Sequence, residues 1–220
     1  MRRDIVTSVI GIVVLTVLLG LVYPLVITGV SQVAFPGNAN GQKVYVDGKL
    51  VGSKIIGQSF KTPVLDKNGK PKEEEEELVT EADPRYFQSR PSATEGGAYN
   101  AAASTFSNRG PNDKVTEEDD AENIKAYLEL EKPYDPGLTT ARIPVDAVNT
   151  SASALDPEIS PANARIQAHR VAAKRQLSLG VVDDLVAKYT DSRGLGFSGE
   201  PGVNVLELNV ALDRLSQGKT

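Results

Sequence analysis

Residues 5–30 read IVTSVIGIVVLTVLLGLVYPLVITGV, and this stretch decides how the chain is organised. No charged residue occurs between Asp4 and Lys43. As an α-helix the stretch would be about 39 Å long, whereas the hydrocarbon core of a bilayer is about 30 Å thick. A single span must pair its backbone polar groups internally, which only a helix can do. The sequence therefore predicts a transmembrane helix over 5–33.

The residues before the apolar stretch predict its orientation. Arg2 and Arg3 precede it, and positive flanks stay on the cytoplasmic side. We therefore expect residues 1–4 in the cytoplasm and residues 34–220 outside, in a single-pass protein of the cell membrane. A cleaved signal peptide is the alternative. It is less favoured because the apolar run is about twice the usual length and no Ala-x-Ala site follows it.

Small and kink-forming residues predict a packing surface on this helix. Thr16 and Gly20 lie four residues apart, a spacing that allows close approach of another helix. Tyr23 and Pro24 lie near the outer end, where a proline tends to kink the helix. We therefore predict a partner interface at Thr16, Gly20, Tyr23 and Pro24, together with contact to membrane lipid. One helix cannot enclose a pore, so any role in transport would be that of a subunit.

The remainder of the chain is predicted to be one α+β domain with a β-hairpin and several helices. Residues 43–46 and 50–58 flank Asp47-Gly48, a favoured two-residue hairpin turn. Residues 61–83 contain five consecutive glutamates and predict a solvated acidic loop insertion. Residues 84–110 show no helical period and are expected to form loop with short strands.

Capping patterns and apolar periodicity predict four helices in the second half of the chain. Thr116 with Asp119 is expected to begin the first, and Ser160-Pro161 begins one that ends near Leu177, before Gly180. A third is expected over 181–189. Asn204 with Glu207 predicts the last, with Val205, Leu208, Leu212 and Leu215 on its apolar face.

Composition excludes several functional classes. The chain has no cysteine, one histidine (His169) and a net charge of −5. Disulfide scaffolds, Cys-ligated metal centres and nucleic-acid binding through a basic surface are therefore excluded. No serine lies in a Gly-x-Ser-x-Gly sequence, and His169 has no partner in a recognisable metal or catalytic motif. We expect no catalytic residue and no metal site.

An ordered series of short motifs resembles a known family. The motifs are Tyr23-Pro24-Leu25-Val26, Ala34-Phe35-Pro36, Asn38-Ala39-Asn40-Gly41, Ile56-Gly57-Gln58, Arg85-Tyr86-Phe87, Ser89-Arg90-Pro91-Ser92-Ala93, Gly110-Pro111, Ile143-Pro144-Val145-Asp146, Leu155-Asp156-Pro157, Ile159-Ser160-Pro161, Gln167-x-x-Arg170-Val171, Gly196-Phe197, Gly199-Glu200-Pro201 and Ala211-Leu212-Asp213. In this order, behind one N-terminal span, they resemble the C subunit of the Kdp potassium-transporting ATPase.

The resemblance implies a non-catalytic accessory subunit of a high-affinity potassium pump. Its implied partners are a channel-like potassium-conducting subunit, a P-type ATPase subunit and a small single-span subunit. The family's C subunit is described as a catalytic chaperone that raises the ATP affinity of the ATPase subunit. ATP and potassium would be handled by the complex. The resemblance also implies nucleotide contact at Gln167.

The sequence leaves two alternatives open. Gln167 and Arg170 lie three residues apart on a predicted helix and could instead fix the domain fold or dock a partner. The chain could also be a stand-alone membrane-anchored protein that binds an extracellular ligand. Two features depart from the family pattern: residues 61–81 are longer and more acidic, and Glu158 stands where the family usually has histidine.

Overall fold

The computed structural model describes residues 1–74, 77–104, 108–110, 112–216 and 218. Glu75 and Glu76 of the acidic run, Pro111 of the Gly-Pro motif, and the last two residues lie outside the described residues. The chain divides into two units, Met1–Lys43 and Val44–Thr220. The described chain is mixed helix and antiparallel strand, which confirms the α+β prediction.

The first unit is a long apolar helix. It comprises α1 (Arg2–Val17), one π-helical turn (Leu18–Val22) and α2 (Tyr23–Ala34), followed by the short helix α3 (Pro36–Ala39). The segment Arg2–Ala34 has 33 residues, and an 18-residue stretch within it has a mean hydropathy of 2.8, so the helix is long and apolar enough to cross a membrane. Its hydrophobic side chains are exposed.

The π-helical turn has a local cause in Pro24. A proline in a helix has no N–H for the carbonyl four residues earlier, here that of Gly20, and its ring collides with that carbonyl. The wider turn relieves this conflict. At its end the Tyr23 N–H bonds the carbonyl of Leu18, five residues back. Such bulges within α-helices are frequent at functional positions.

The second unit begins with short antiparallel pairs. β1 (Lys43–Val46) pairs with β2 (Lys49–Ser53), and Asp47 and Gly48 have φ values of 47° and 78°. The predicted hairpin turn is therefore confirmed, because the favoured two-residue turn requires positive φ at both positions. The second strand ends at Ser53, earlier than predicted.

The acidic insertion is a solvent-exposed β-ribbon, so the prediction of a plain loop was wrong. β3 (Lys61–Pro63) pairs with β6 (Thr80–Ala82), and β4 (Glu73–Glu74) pairs with β5 (Glu77–Leu78). Backbone bonds among Val64, Lys72 and Val79 join the two pairs. These bonds satisfy the backbone without burying side chains, so a charged sequence with little apolar surface can still be ordered as strand.

The stretch from 84 to 110 contains no strand among its described residues, contrary to prediction, and has one short 3-10 helix, Ala101–Ala103. The helix α4 (Lys114–Glu131) follows. Its cap is Asp113, whose carboxylate accepts bonds from the N–H groups of Val115 and Thr116, so Thr116 is not the cap. A carboxylate at this position satisfies two free donors of the first turn and favours an earlier start.

Three helices and a small sheet complete the domain. Two short 3-10 helices, Thr140–Arg142 and Val145–Ala147, precede β7 (Glu158–Ile159), α5 (Pro161–Arg175), α6 (Leu179–Lys188), β8 (Thr190–Asp191), β9 (Gly202–Asn204) and α7 (Val205–Ser216). The three strands pair antiparallel in the order β7-β9-β8. The caps Ser160 and Asn204 are confirmed: each side chain accepts a bond from the N–H three residues on.

The end of α5 and the start of α6 differ from prediction. Gln176 adopts a left-handed conformation (φ 56°) and stops α5 after Arg175. The hydroxyl of Ser178 accepts a bond from the N–H of Val181 and begins α6, so Gly180 lies inside that helix. The buried core forms two groups of side chains: the larger joins α5, α6, α7 and Phe87, and the smaller contains Tyr127, Leu138, Val148 and Ile166.

Candidate functional site

The inner face of α5 carries polar side chains in place of an apolar stripe. Asn163, Gln167 and Arg170 follow one another at spacings of four and three residues, which places them on one side of a helix. The exposed fraction is 1% for Asn163, 1% for Gln167 and 0% for Arg170. Polar groups buried this deeply are stable only when they are hydrogen-bonded.

Every hydrogen-bonding position of the Gln167 amide is occupied within the domain. Its Oε1 accepts bonds from the Gln88 N–H at 2.7 Å and from Arg170 Nη2 at 2.9 Å. Its Nε2 donates to the Gln88 carbonyl at 3.0 Å and to Asn163 Oδ1 at 2.9 Å. A glutamine amide has two donors and accepts about two bonds, so nothing is left for a ligand in this conformation.

Arg170 lies beside Gln167 on α5 and bonds both α4 and the segment 84–86. Its Nε donates to Glu131 Oε1 at 2.9 Å, and its Nη1 donates to the carbonyls of Pro84 and Tyr86, each at 2.8 Å. Glu131 ends α4 and is only 1% exposed. The other carboxylate oxygen, Glu131 Oε2, is buried without a hydrogen-bond partner in the described part of the chain.

The electrostatics of this pair are set by opposing effects. Burial raises the pKa of the Glu131 carboxyl, and the adjacent guanidinium of Arg170 opposes that rise. Breaking such a pair is strongly destabilising, because one charge would remain buried without compensation. The ion pair therefore requires α4 and α5 to keep this one arrangement.

The segment 84–88 is held by side chains instead of by a neighbouring strand. Asn209 of α7 accepts from the Phe87 N–H and donates to the Phe87 carbonyl, both at 2.9 Å. Gln167 does the same for Gln88, and Arg170 takes the two carbonyls of Pro84 and Tyr86. The side-chain amides of Asn209 and Gln167 thus make the hydrogen bonds that the backbone of a neighbouring strand would make. We call Gln167, Arg170, Glu131, Asn163 and Asn209 the polar clamp.

Two further groups extend the polar clamp toward the rest of the domain. Tyr127 Oη donates to Asn163 Oδ1 at 2.9 Å, and burial raises the pKa of this phenol. Asn163 Nδ2 donates to Asp146 Oδ2 at 3.0 Å, and the same oxygen accepts from the Ser160 N–H at 2.8 Å. The start of α5 is therefore tied both to α4 and to the 3-10 helix that contains Asp146.

The groups of this cluster stabilise the fold of the domain. It contains an arginine, a glutamate, amides and a phenol, and the fully buried members hydrogen-bond to each other or to the backbone of the segment 84–88. Among the described residues, no group of three or more His, Asp or Glu side chains could hold a metal ion. His169 is exposed on α5, outside the buried row of Asn163, Gln167 and Arg170.

Glu158 lies at the edge of the small sheet. Glu158 of β7 covers Gly202 of β9, where a Cβ atom would come within 2.1 Å of Glu158 Oε2. Burial raises the pKa of the Glu158 carboxyl, and the charges of Asp156 and Asp191 add to this effect. Only glycine at position 202 leaves space for the glutamate in this position.

The predicted membrane interface residues lie on the exposed apolar helix. Thr16 is in α1, Gly20 is in the π-helical turn, and Tyr23 and Pro24 form the first turn of α2. All four are exposed, Tyr23 by 58%. The π-helical turn contains Gly20 and separates Thr16 from Tyr23 and Pro24, so the four residues do not follow one uninterrupted α-helical face.

Sequence reasoning missed three members of the polar clamp: Glu131, Asn163 and Asn209. A usable signal existed for two of them. Glu131 follows Tyr127 at a spacing of four on the apolar side of α4, and Asn209 has the same spacing from Val205 on α7. A charged or amide side chain at an apolar position of an amphipathic helix indicates a buried polar contact.

Fold and site together define a class of protein: an apolar helix of membrane-spanning length, joined to an α+β domain whose centre is a hydrogen-bonded polar cluster. A family model described as the K+-transporting ATPase, c chain, matches residues 5–214.

Curated relatives named potassium-transporting ATPase KdpC subunit match nearly the full length of the chain. The protein from Methylococcus capsulatus is 46% identical over 93% of this chain and 94% of its own. Those from Koribacter versatilis and Mycobacterium bovis are 44% and 43% identical, over 97% and 98% of this chain and 95% and 100% of their own. The chain belongs to the KdpC family.

Proposed function

We propose that this chain is a non-catalytic accessory subunit of an ATP-driven, high-affinity potassium uptake complex. The observation that carries the proposal is membership of the KdpC family over residues 5–214, whose relatives are named subunits of a potassium-transporting ATPase. The partners we propose are a channel-like potassium-conducting subunit, a P-type ATPase subunit and a small single-span subunit.

The long apolar helix supports a role in assembly. It exposes large hydrophobic side chains along its length, including Leu19 at 59% and Leu25 at 62%. In a bilayer these side chains face lipid or another helix. Gly20 has no side chain and lies in the π-helical turn that precedes Pro24, so another helix can approach the backbone closely there. We propose that this surface packs against a partner helix, with residues 1–4 in the cytoplasm and the domain outside.

A subunit whose Gln167 is buried in the polar clamp can still change the ATP affinity of the ATPase subunit without contacting nucleotide. An accessory subunit that binds one state of the ATPase more tightly than another shifts the equilibrium between them. Gln167 is buried and fully hydrogen-bonded, so nucleotide contact would first require the polar clamp to open. We therefore propose that Gln167 and Arg170 maintain the domain fold, and that the domain acts by docking.

Assembly is tested by removing the helix. We expect a chain lacking residues 1–35 to lose co-purification with the tagged ATPase subunit, because its membrane contact is gone. The control replaces residues 5–30 with an unrelated apolar helix, which keeps membrane insertion and removes the specific surface. Undiminished co-purification of the truncated chain would contradict a role for the helix in assembly.

Orientation is tested by protease access. The ribbon 61–83 has exposed lysines and glutamates on both strands, which makes it the expected cleavage site. Protease added to intact spheroplasts should cleave there, and a cytoplasmic control protein should stay intact. Cleavage only after permeabilisation would reverse the proposed topology and restore nucleotide contact as the simpler role of Gln167.

A further inference from the structure

The loop between β8 and β9 carries two large apolar side chains into solvent. Leu195 is 91% exposed and Phe197 is 75% exposed. They lie in the sequence Gly194-Leu195-Gly196-Phe197-Ser198-Gly199, which contains no charge. We call residues 193–200 the apolar finger.

The apolar finger is a built structure. Gly194 and Ser198 exchange two backbone hydrogen bonds of 2.7 and 2.8 Å, and the Phe197 N–H bonds the Gly194 carbonyl at 3.2 Å. At its base Arg193 and Glu200 form an ion pair at 2.7 Å. The loop therefore presents its two apolar side chains from a closed turn with paired ends.

The position of Leu195 is conformationally unfavourable. Its φ is +54°, in the left-handed region that glycine and asparagine adopt more readily than leucine. Leucine at this position therefore lowers stability without gaining any burial within the domain. A large apolar side chain held in such a conformation and exposed to water is typical of a contact made outside the chain.

A second copy of this chain does not account for the finger. Leu195 and Phe197 together can bury at most about 400 Å², whereas a stable protein complex buries about 800 Å² on each partner. The contact is large enough only for a partner to which the chain is already bound, where a local anchor acts at high effective concentration.

Lipid does not account for the finger well either. Loops that bind membrane surfaces combine apolar side chains with free lysine or arginine that meets the lipid phosphates. Within 191–200, all of which the structure describes, the one basic residue is Arg193, and it is paired with Glu200. Asp191 adds a negative charge at the base of the finger.

We propose that Leu195 and Phe197 insert side by side into an apolar pocket on the extracytoplasmic surface of another subunit of the transport complex. The inference rests on the proposed function, since it assigns one docking contact of the accessory subunit. The closed turn fixes the two side chains before binding, which reduces the entropy lost on docking.

The contact is tested by photo-crosslinking in the assembled complex. Benzoylphenylalanine replaces Phe197, the complex is purified through a tag on the ATPase subunit, and adducts are identified by mass. The matched control carries the same probe at Tyr45, an aromatic side chain of β1 that is 52% exposed. We expect the probe at 197 to join this chain to one other subunit, at apolar residues, and the probe at 45 to give no such adduct.

The other outcomes overturn the proposal. Adducts with lipid alone would identify a membrane-binding loop, and adducts between two copies of this chain would identify a dimer contact. Absence of any adduct at 197 would show that the finger is free. In all three cases the chain still co-purifies with the tagged ATPase subunit, so the proposed function stands. Failure of co-purification with an unmodified chain would contradict the proposed function itself.

A second measurement uses the rate at which the chain is lost from the purified complex. The variant Leu195→Asn with Phe197→Ser keeps residues that tolerate the turn and removes the apolar side chains. We expect it to dissociate at least tenfold faster, because burial of a single leucine or phenylalanine contributes more than a tenfold change in equilibrium. Val145→Ser, at a side chain of the 3-10 helix Val145–Ala147 that is 73% exposed and outside the apolar finger, is the control and should dissociate at the original rate. Equal rates for both variants would overturn the proposal.

Discussion

Replacing Gln167 by leucine separates a structural role from nucleotide contact. The two side chains are similar in length, so the substitution mainly removes the amide. It leaves three groups without their partner: the N–H of Gln88, the carbonyl of Gln88 and one N–H of Arg170. Asn163 Oδ1 keeps its bond from Tyr127.

The expected loss follows from the number of groups left unpaired. Leaving a buried donor or acceptor without a partner costs about 1–3 kcal/mol. Gln88 is half-buried, so the low end of this range applies to its two groups, whereas Arg170 is fully buried. We expect the free energy of unfolding to fall by about 3 kcal/mol, a large share of the roughly 5–15 kcal/mol that stabilises a typical domain.

Urea unfolding of the full chain in detergent, followed by circular dichroism, measures this change. The apolar helix stays folded in the micelle, so the transition reports on the domain. The control is Arg165→Gln on the same helix, at an exposed side chain, where we expect a change within about 0.5 kcal/mol. The ATP KM of the assembled ATPase is measured on the same variants.

The two roles predict different pairs of results. A structural role lowers the unfolding free energy of Gln167→Leu and leaves the ATP KM within about twofold wherever the domain is folded. Direct contact raises the ATP KM about tenfold or more, since a hydrogen bond to a charged group contributes about 1.5–3 kcal/mol. A raised KM with unchanged stability would refute a structural role for Gln167.

Three further predictions concern other parts of the chain. Gly57→Ala should lower the unfolding free energy by about 1–3 kcal/mol, because its Cβ would come within 2.3 Å of the Tyr99 ring and 2.6 Å of the Asp156 carbonyl oxygen. Gly180→Ala in α6, where a Cβ meets open space, is its control and should not be destabilising. Burial raises the pKa of Tyr99 to about 12, so its contribution is complete below pH 10 and is lost between about pH 10 and 12, as the folded state keeps a proton that the unfolded state releases. Tyr99→Phe should therefore flatten the fall in stability over that pH range, and an unchanged slope would contradict the assignment. Pro24→Ala returns an N–H to the Gly20 carbonyl and should slow amide exchange across 18–25 in micelles, whereas unchanged or faster exchange would show that proline does not cause the π-helical turn.

The elements that sequence predicts well are those decided by neighbouring residues. The Asp47-Gly48 turn and the caps Ser160 and Asn204 each depend on a side chain or backbone conformation within three residues, and each is confirmed. The apolar helix depends on composition alone, and one N-terminal helix long and apolar enough to cross a membrane is confirmed; it covers Arg2–Ala34, a few residues more than the predicted 5–33.

The elements that sequence predicts poorly depend on contacts between distant residues. Pairing of Lys61 with Ala82 brings together residues that no local pattern connects, so the sequence of the ribbon is typical of a loop. The segment 84–88 pairs with no strand in the part of the chain that the structure describes, and the side chains of Arg170, Gln167 and Asn209 hydrogen-bond its backbone instead. Local propensity carries no information on such long-range hydrogen bonds.

The polar clamp itself is half predictable. The sequence indicates Gln167 and Arg170 as a pair that could fix the fold, but it does not indicate their bonding partners on α4 and α7. An arginine buried at 0% exposure requires a carboxylate, and Glu131 supplies it from 39 residues earlier in the chain. A buried charge on one helix therefore indicates that an opposite charge exists, and it does not indicate where.

The energies involved explain how a domain with this interior could influence a distant ATP site. A tenfold gain in ATP affinity requires only that the accessory subunit bind the ATP-favouring state about 1.4 kcal/mol more tightly than the other. Burial of one leucine contributes about 1.5–3 kcal/mol, so one apolar contact made in a single state would be sufficient. Such a contact discriminates between two states of the partner only if the surface that carries it does not adapt to both. A domain whose helices are fixed by buried hydrogen bonds cannot follow a moving partner cheaply. In the proposed mechanism the folded domain would supply the fixed surface, and an exposed anchor such as Phe197 would supply the contact that differs between the two states.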